Sequence, residues 1–275
     1  MKRKLFCEIS PFAYDLSIKK ERLKRYLKNF FAGPKFAKTK SSPLPFAIFK
    51  YDSLIRRTME NMSMELQDNK AVNLGLAAPK VSGILIKPGE VFSLWQLVGI
   101  CTVAKGYREG LMISCGKAGQ GVGGGMCHFA DLLHWMVVHT PLDVVEMHHH
   151  NHIDLFPDYG WPISFGLGTS IFYNYLDFRV KNNTDNTFQI VVHTSATHLC
   201  GEIRAAAPLS YSYQIVEEDK HFVCLDGEYY RRNKVYRDKI DNSSGEVIAR
   251  ELMVESDAAV QYDSKFIPKE LLRTT

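Results

Sequence analysis

The chain lacks several features that would have placed it at once. Its six cysteines, Cys7, Cys101, Cys115, Cys127, Cys200 and Cys224, lie far apart and form no CxxC pair. A disulfide-dense scaffold and a thiol-rich zinc module are therefore both disfavoured. No run approaches the 18 or so consecutive apolar residues of a membrane span. The opening MKRKLFCEISPFAYDLS carries positive charge, but no apolar stretch of signal-peptide length follows it. The resulting expectation is a cytoplasmic location, with peripheral membrane contact as its one extension. No repeat of fixed period is visible, and the net charge is only +4 over 275 residues. A nucleic-acid-coating protein, and with it a nucleic-acid partner, is disfavoured.

What is present describes a folded body. Apolar residues make up 45% and charged residues 23%, close to the globular average. The length suits one large domain or two small ones. The charge is unevenly placed: residues 1–60 hold 15 Lys and Arg against 5 Asp and Glu, so they carry +10 and the remainder −6. The division expected is a basic, partly helical leader over 1–45, a main domain over 46–262 and a tail over 263–275.

Within the leader, Leu23, Tyr26, Leu27, Phe30 and Phe31 recur at helical spacing, with Lys and Arg on the other face, until Gly33-Pro34 ends the pattern. A basic amphipathic helix over 19–31 can lie on an anionic membrane. The plainer expectation is that it packs on its own domain and leaves its basic face solvated. Residues 56–80 look helical, and 91–97 and 111–115 look like short strands. After Pro162 the text turns to strands: 171–181 alternates, 187–193 follows a polar turn, Asp226-Gly227 marks a two-residue hairpin, and a further turn falls at 242–245. The fold class expected is α+β, a glycine loop and helix as the core of the site, with antiparallel hairpins after it.

The segment GKAGQGVGGGMCHFADLLHWMVVHT is the most unusual, with five glycines between Gly119 and Gly125 running straight into a helical pattern. Cys127 falls at the mouth of that helix, where the N-terminal partial charge favours thiolate, the nucleophilic form. Glycines at 123, 124 and 125 permit close approach of backbone to substrate, and the N–H groups of Gly124, Gly125 and Cys127 are candidate oxyanion donors. Taken alone, the pattern fits a buried structural thiol equally well.

Histidine density shifts that balance: seven of ten lie between 128 and 152. If 127–139 is helical, Cys127, Asp131 and His134 share a face. His148, His150 and His152 alternate, so an extended strand would point them one way, as bases or as an alternative zinc-binding set. The candidate catalytic set is Cys127 with His150, His128 or His148, and it requires no cofactor. Each histidine taken singly is better explained by a satisfied core or surface role.

Several motifs in order carry a resemblance to a known family. Asn73-Leu-Gly-Leu-Ala-Ala78, Ile86-Lys-Pro-Gly-Glu-Val-Phe-Ser93, Lys105-Gly-Tyr107, Gly123-Gly-Gly-Met-Cys127 and Leu176-Asp-Phe-Arg-Val-Lys-Asn-Asn183 resemble the VanW family across roughly residues 45–255. The resemblance implies a role in cell-wall metabolism or glycopeptide resistance. Multidomain members are associated with L,D-transpeptidation of peptidoglycan stem peptides through the glycine-motif Cys, which Cys127 matches. His128 and Ala130 stand where the family usually has Gln and Ser. Glu146-Met-His-His-His-Asn151 stands where it often reads Glu-Arg-His-Pro-His-Ser, so His148 and His150 match and Met147 replaces Arg. The partner implied is a wall precursor or stem peptide. A non-catalytic accessory role at the membrane face is the alternative.

Overall fold

The structure, a computed structural model, describes residue 6 and residues 9–31, 33–57, 63–114, 117–149, 153–158 and 163–273. Helix α1 spans Pro11–Phe31 and strand β1 Phe46–Leu54. Helix α2, Met64–Val81, starts where the Ser63 side chain accepts the Glu65 N–H, the usual satisfaction of an orphan donor at a helix start. Short strands β2 (Ile84–Ile86) and β3 (Val91–Ser93) lead into helix α3, Leu94–Val98. Strands β4 (Glu109–Ser114) and β5 (Lys117–Val122) pair as a hairpin that feeds helix α4, Met126–Val137. Strands β6 (Asp143–Glu146), β7 (Ile153–Asp154), β8 (Arg179–Lys181), β9 (Phe188–Thr194) and β10 (His198–Ala205) follow. Long strands β11 (Tyr211–Leu225), β12 (Glu228–Asp241) and β13 (Val247–Val260), then short β14 (Leu272–Arg273), complete the described elements.

The expected α+β class is what forms. One sheet has the order β1-β10-β9-β2 and is antiparallel throughout; another runs β14-β11-β12-β13-β7. Strand β10 alternates between half-buried and buried along its whole length, and its covered face takes α4. Leu74, Ala77 and Val81 of α2 meet Phe129, Leu132, Leu133 and Met136 of α4 and Ile190, Val192, Leu199 and Ile203 of the sheet in one cluster with almost no exposure. Fully burying a side chain of that size contributes roughly 1.5–3 kcal/mol, so this layer fixes where α4 begins. The Asp226-Gly227 turn joins β11 to β12 with positive φ at both residues, 51° and 85°, the backbone that the two-residue hairpin needs.

Two expectations change. Residues 91–97 split after Ser93, whose hydroxyl accepts the Gln96 N–H and turns the strand into α3. Alternation over 171–181 produces a regular strand only at 179–181, because Leu176 closes a tight turn onto Phe172 and Asp177 is committed to α3.

The leader helix is turned the other way from the plainer expectation. Its apolar residues face solvent: Phe12, Leu16, Leu23, Leu27, Phe30 and Phe31 are all exposed, Phe30 by 83%. Its polar stripe docks instead. Arg25 makes two 2.6 Å hydrogen bonds to the Glu146 carboxylate and donates to the Tyr175 carbonyl. Arg22 donates to the Tyr173 carbonyl, and Asn29 accepts from Arg179. Glu146 also receives the Asp177 N–H and lies 3.1 Å from the His148 ring. Burial alone would raise its pKa, but His148, Arg25 and that N–H together bring it down to about 2.

Arg25→Ala should therefore loosen α1 by about 1.5–3 kcal/mol, the usual contribution of hydrogen bonds to a charged group. Faster hydrogen exchange confined to 11–31, with the rest of the chain unchanged, is the expected readout. Acid should act in the same direction. Because Glu146 titrates lower in the folded chain than its ordinary 4.5, its stabilisation is full above that pH and is lost as pH falls towards about 2.

Candidate functional site

The site is built from the glycine loop upward. Asn73, fully buried on α2, donates to the Arg108 and Gly124 carbonyls and accepts the Arg108 N–H. One amide thus ties the loop to the chain entering β4. A Cβ on Gly124 would lie 2.1 Å from the carbonyl carbon of Gly110, and Gly125, the residue before α4, has φ of +95°. These glycines are required by a backbone crossing and a left-handed turn.

The same contacts remove part of the expected oxyanion site. Gly123 donates its N–H to Arg108, Gly124 to Gly121 and Gly125 to Leu111. Gly124 and Gly125 are therefore already committed. The donors that reach the sulfur are the N–H of Ile171 and that of Cys127 itself.

Cys127 lies in the first turn of α4 and lines a cavity of about 150 Å³ with the three glycines, Trp95, Cys101, Tyr173 and Arg22. Position at a helix start was expected to lower its pKa. Instead it rises from 9.0 to about 11: burial is the largest cause, and nearby Asp131 adds to it, against the two N–H donors. A helix terminus contributes roughly 0.3–1 kcal/mol, whereas that rise corresponds to about 3 kcal/mol. Desolvation wins, and the thiol is protonated at neutral pH.

The histidines disperse. His128 shares a 2.7 Å hydrogen bond with Ser53 of β1 and lines a separate, larger cavity of about 420 Å³ together with Arg57, Asp131 and His149. Burial, then Lys70 and Arg57, hold its pKa well below the ordinary histidine range. Asp131 accepts from the Thr169 N–H and hydroxyl, and His134 donates through Nδ1 to the Leu167 carbonyl. The helical face shared by Cys127, Asp131 and His134 is real in spacing, yet its polar groups are spent on the 167–169 segment. His148 is engaged by Glu146 and lies beyond the end of β6. His150 and His152 lie outside the described residues. Among the described residues no hydrogen bond joins Cys127 to an imidazole, and no three of His, Cys, Asp and Glu converge as a metal site.

Other residues of the quoted motifs have hydrogen-bond partners within the fold. The Ser93 hydroxyl donates to Asp177, Lys105 donates to the Ile100 carbonyl, and the Tyr107 hydroxyl accepts from Lys80. Sequence reasoning missed Arg22, Tyr173 and Ile171 as parts of the Cys127 cavity. Arg22 hydrogen-bonds the Tyr173 carbonyl in its wall, 151 positions away in the chain, and no local spacing announces such a contact.

A glycine-loop helix start with a thiol facing a small cavity, on an α+β scaffold, is the class of site observed. The family model described as VanW like protein matches residues 69–204. Vancomycin B-type resistance protein VanW of Enterococcus faecalis (strain ATCC 700802 / V583) is 31% identical over 263 residues, covering 95% of this chain and 95% of that protein. The chain belongs to the VanW family. Uncharacterized protein YoaR of Bacillus subtilis (strain 168) is 33% identical over 82 residues, 30% of this chain and 27% of that one. No solved structure matches.

Two outcomes follow for this site. Gly124→Ala should destabilise the fold by about 1–3 kcal/mol through overpacking against Gly110, read as a lowered denaturation midpoint. Alkylation of Cys127, followed by peptide mass analysis, should rise about tenfold per pH unit from neutrality towards its pKa of about 11. A plateau near neutral pH would show an activated thiolate instead.

Proposed function

We propose that this chain serves vancomycin resistance at the cell wall and that Cys127 accepts an acyl group from a peptidoglycan stem peptide. The observation that carries this reading is the Cys127 sulfur itself. It lies at the start of α4, faces the 150 Å³ cavity and receives the N–H groups of Ile171 and Cys127. In the reaction the thiol proton passes to a base while sulfur bonds to the peptide carbonyl carbon. The Cys127 N–H, the candidate donor of the loop not already committed, stabilises the oxyanion, and removal of one such donor in comparable sites costs about 2.7–4 kcal/mol. The peptide C–N bond then breaks and the amine leaves with the proton. An incoming amine or water resolves the thioester. The sequence nominates His150 or His128 as the base, with His148 a further candidate; His128 shares its hydrogen bond with Ser53 and His148 is engaged by Glu146. Arg22 in the cavity wall suits a carboxylate of the peptide.

A second reading rests on the raised pKa of the thiol. A protein that binds the wall precursor without cleaving it needs the cavity and Arg22, and a protonated thiol is no handicap to it. Incubation with stem peptides separates the two. Acyl transfer requires a mass increase confined to Cys127 and loss of resistance in Cys127→Ala, with Cys127→Ser also inactive. An unmodified Cys127 together with full resistance in both variants would leave the binding role in its place.

A further inference from the structure

Helix α1 carries an unpartnered apolar face that the docking of its polar face turns outward. At about 100° per residue, Phe12, Leu16, Leu23, Leu27 and Phe30 fall within one narrow stripe, and each is exposed. Lys20, Lys24 and Lys28, all exposed, run along one flank of that stripe, and Lys19 stands at its edge. Lys24 pairs with Glu21 at 2.7 Å, and Lys20 acts on the same carboxylate at longer range. The opposite side is held by Arg22, Arg25 and Asn29, so the helix cannot roll its apolar face inward without breaking the contacts to Glu146 and Tyr173. A soluble surface seldom leaves so many large apolar side chains contiguous. No helix among the described residues is long and apolar enough to cross a membrane, so a spanning role for α1 does not arise.

We infer that α1 is an in-plane membrane anchor, whose apolar stripe enters the acyl boundary of an anionic bilayer while Lys20, Lys24 and Lys28 meet the phosphate headgroups. The match is one of charge and geometry together. An apolar stripe flanked by lysines fits an anionic lipid surface, whereas a second copy of the same face would bring like charges together. Because Arg22 of the same helix lines the Cys127 cavity, lodging α1 in lipid sets that cavity beside the membrane surface. For the acyl-transfer reading, on which this last step rests, the substrate class becomes a lipid-linked peptide.

The test uses the full chain with vesicles of phosphatidylcholine alone and of phosphatidylcholine mixed with phosphatidylglycerol. Sedimentation with the mixed vesicles, weakening as salt is raised, is the expected result. Reversing three charges with Lys20→Glu, Lys24→Glu and Lys28→Glu should weaken it about a hundredfold or more. Leu23→Ser, Leu27→Ser and Phe30→Ser together should abolish it. Both triple variants change exposed side chains, so thermal unfolding should match the parent and exclude misfolding as the cause. Absence of binding to either vesicle would overturn the inference, as would binding that neither triple variant alters. A lipid-free dimer that the serine variant dissolves would also overturn it, because a second copy would then be the occupant. The mass shift on Cys127 with a soluble stem peptide does not depend on α1, so the anchor and the acyl transfer can fail separately.

Discussion

The Glu146 carboxylate is the junction on which the arrangement of this molecule turns. It gathers Arg25 from α1, the Asp177 N–H from the segment before β8 and the His148 ring from its own strand end, with Arg179 at 3.4 Å. An anion so nearly enclosed is stable only while those partners stay, and removing one leaves charge without compensation. The consequence reaches further than local stability. By holding the arginine stripe of α1 against the domain, Glu146 decides which face of that helix looks outward and sets Arg22 in the wall of the Cys127 cavity.

The cavity shows how competing electrostatic effects resolve. A thiol at a helix start is favoured as thiolate by the backbone dipoles, and two N–H groups aimed at the sulfur add to that preference. Burial outweighs these, so the Cys127 pKa is raised rather than lowered. The glycine loop, which suggests an anion-binding cradle by composition, is consumed by its own folding. Its N–H groups close the β4–β5 hairpin onto Arg108, Gly121 and Leu111, and its missing side chains make room for Gly110. Cys127 and Ile171, at the end of the loop and across from it, line the small cavity together.

Belonging to the VanW family accounts for the order of the motifs, and the structure gives each a physical task. Asn73 clamps the loop, Ser93 and Asp177 brace α3, and the 182–184 turn is held by Asn182, whose amide donates to the Ile86 and Asn186 carbonyls. These are contacts that hold loops and helix ends of the fold in place. The larger cavity, bounded by His128, Arg57 and Asp131, is a separate feature with its own polar wall.

Local pattern alone determined much of this protein. The α+β class, the helix after the glycines, the Asp226-Gly227 hairpin and the place of Cys127 in the first turn of that helix all follow from spacing and turn chemistry, because each depends on residues a few positions apart. The amphipathic character of α1 was legible in the same way. Tertiary structure alone decided its orientation, since the partners of Arg22 and Arg25 lie more than 120 residues away. It likewise decided the state of the thiol, which depends on how completely the surrounding chain excludes water. Histidine density suggested one cluster, but adjacent positions on a helix point about 100° apart, so His128 went to Ser53 and Cys127 to Ile171. Periodicity specifies which residues share a face; only packing specifies what that face meets.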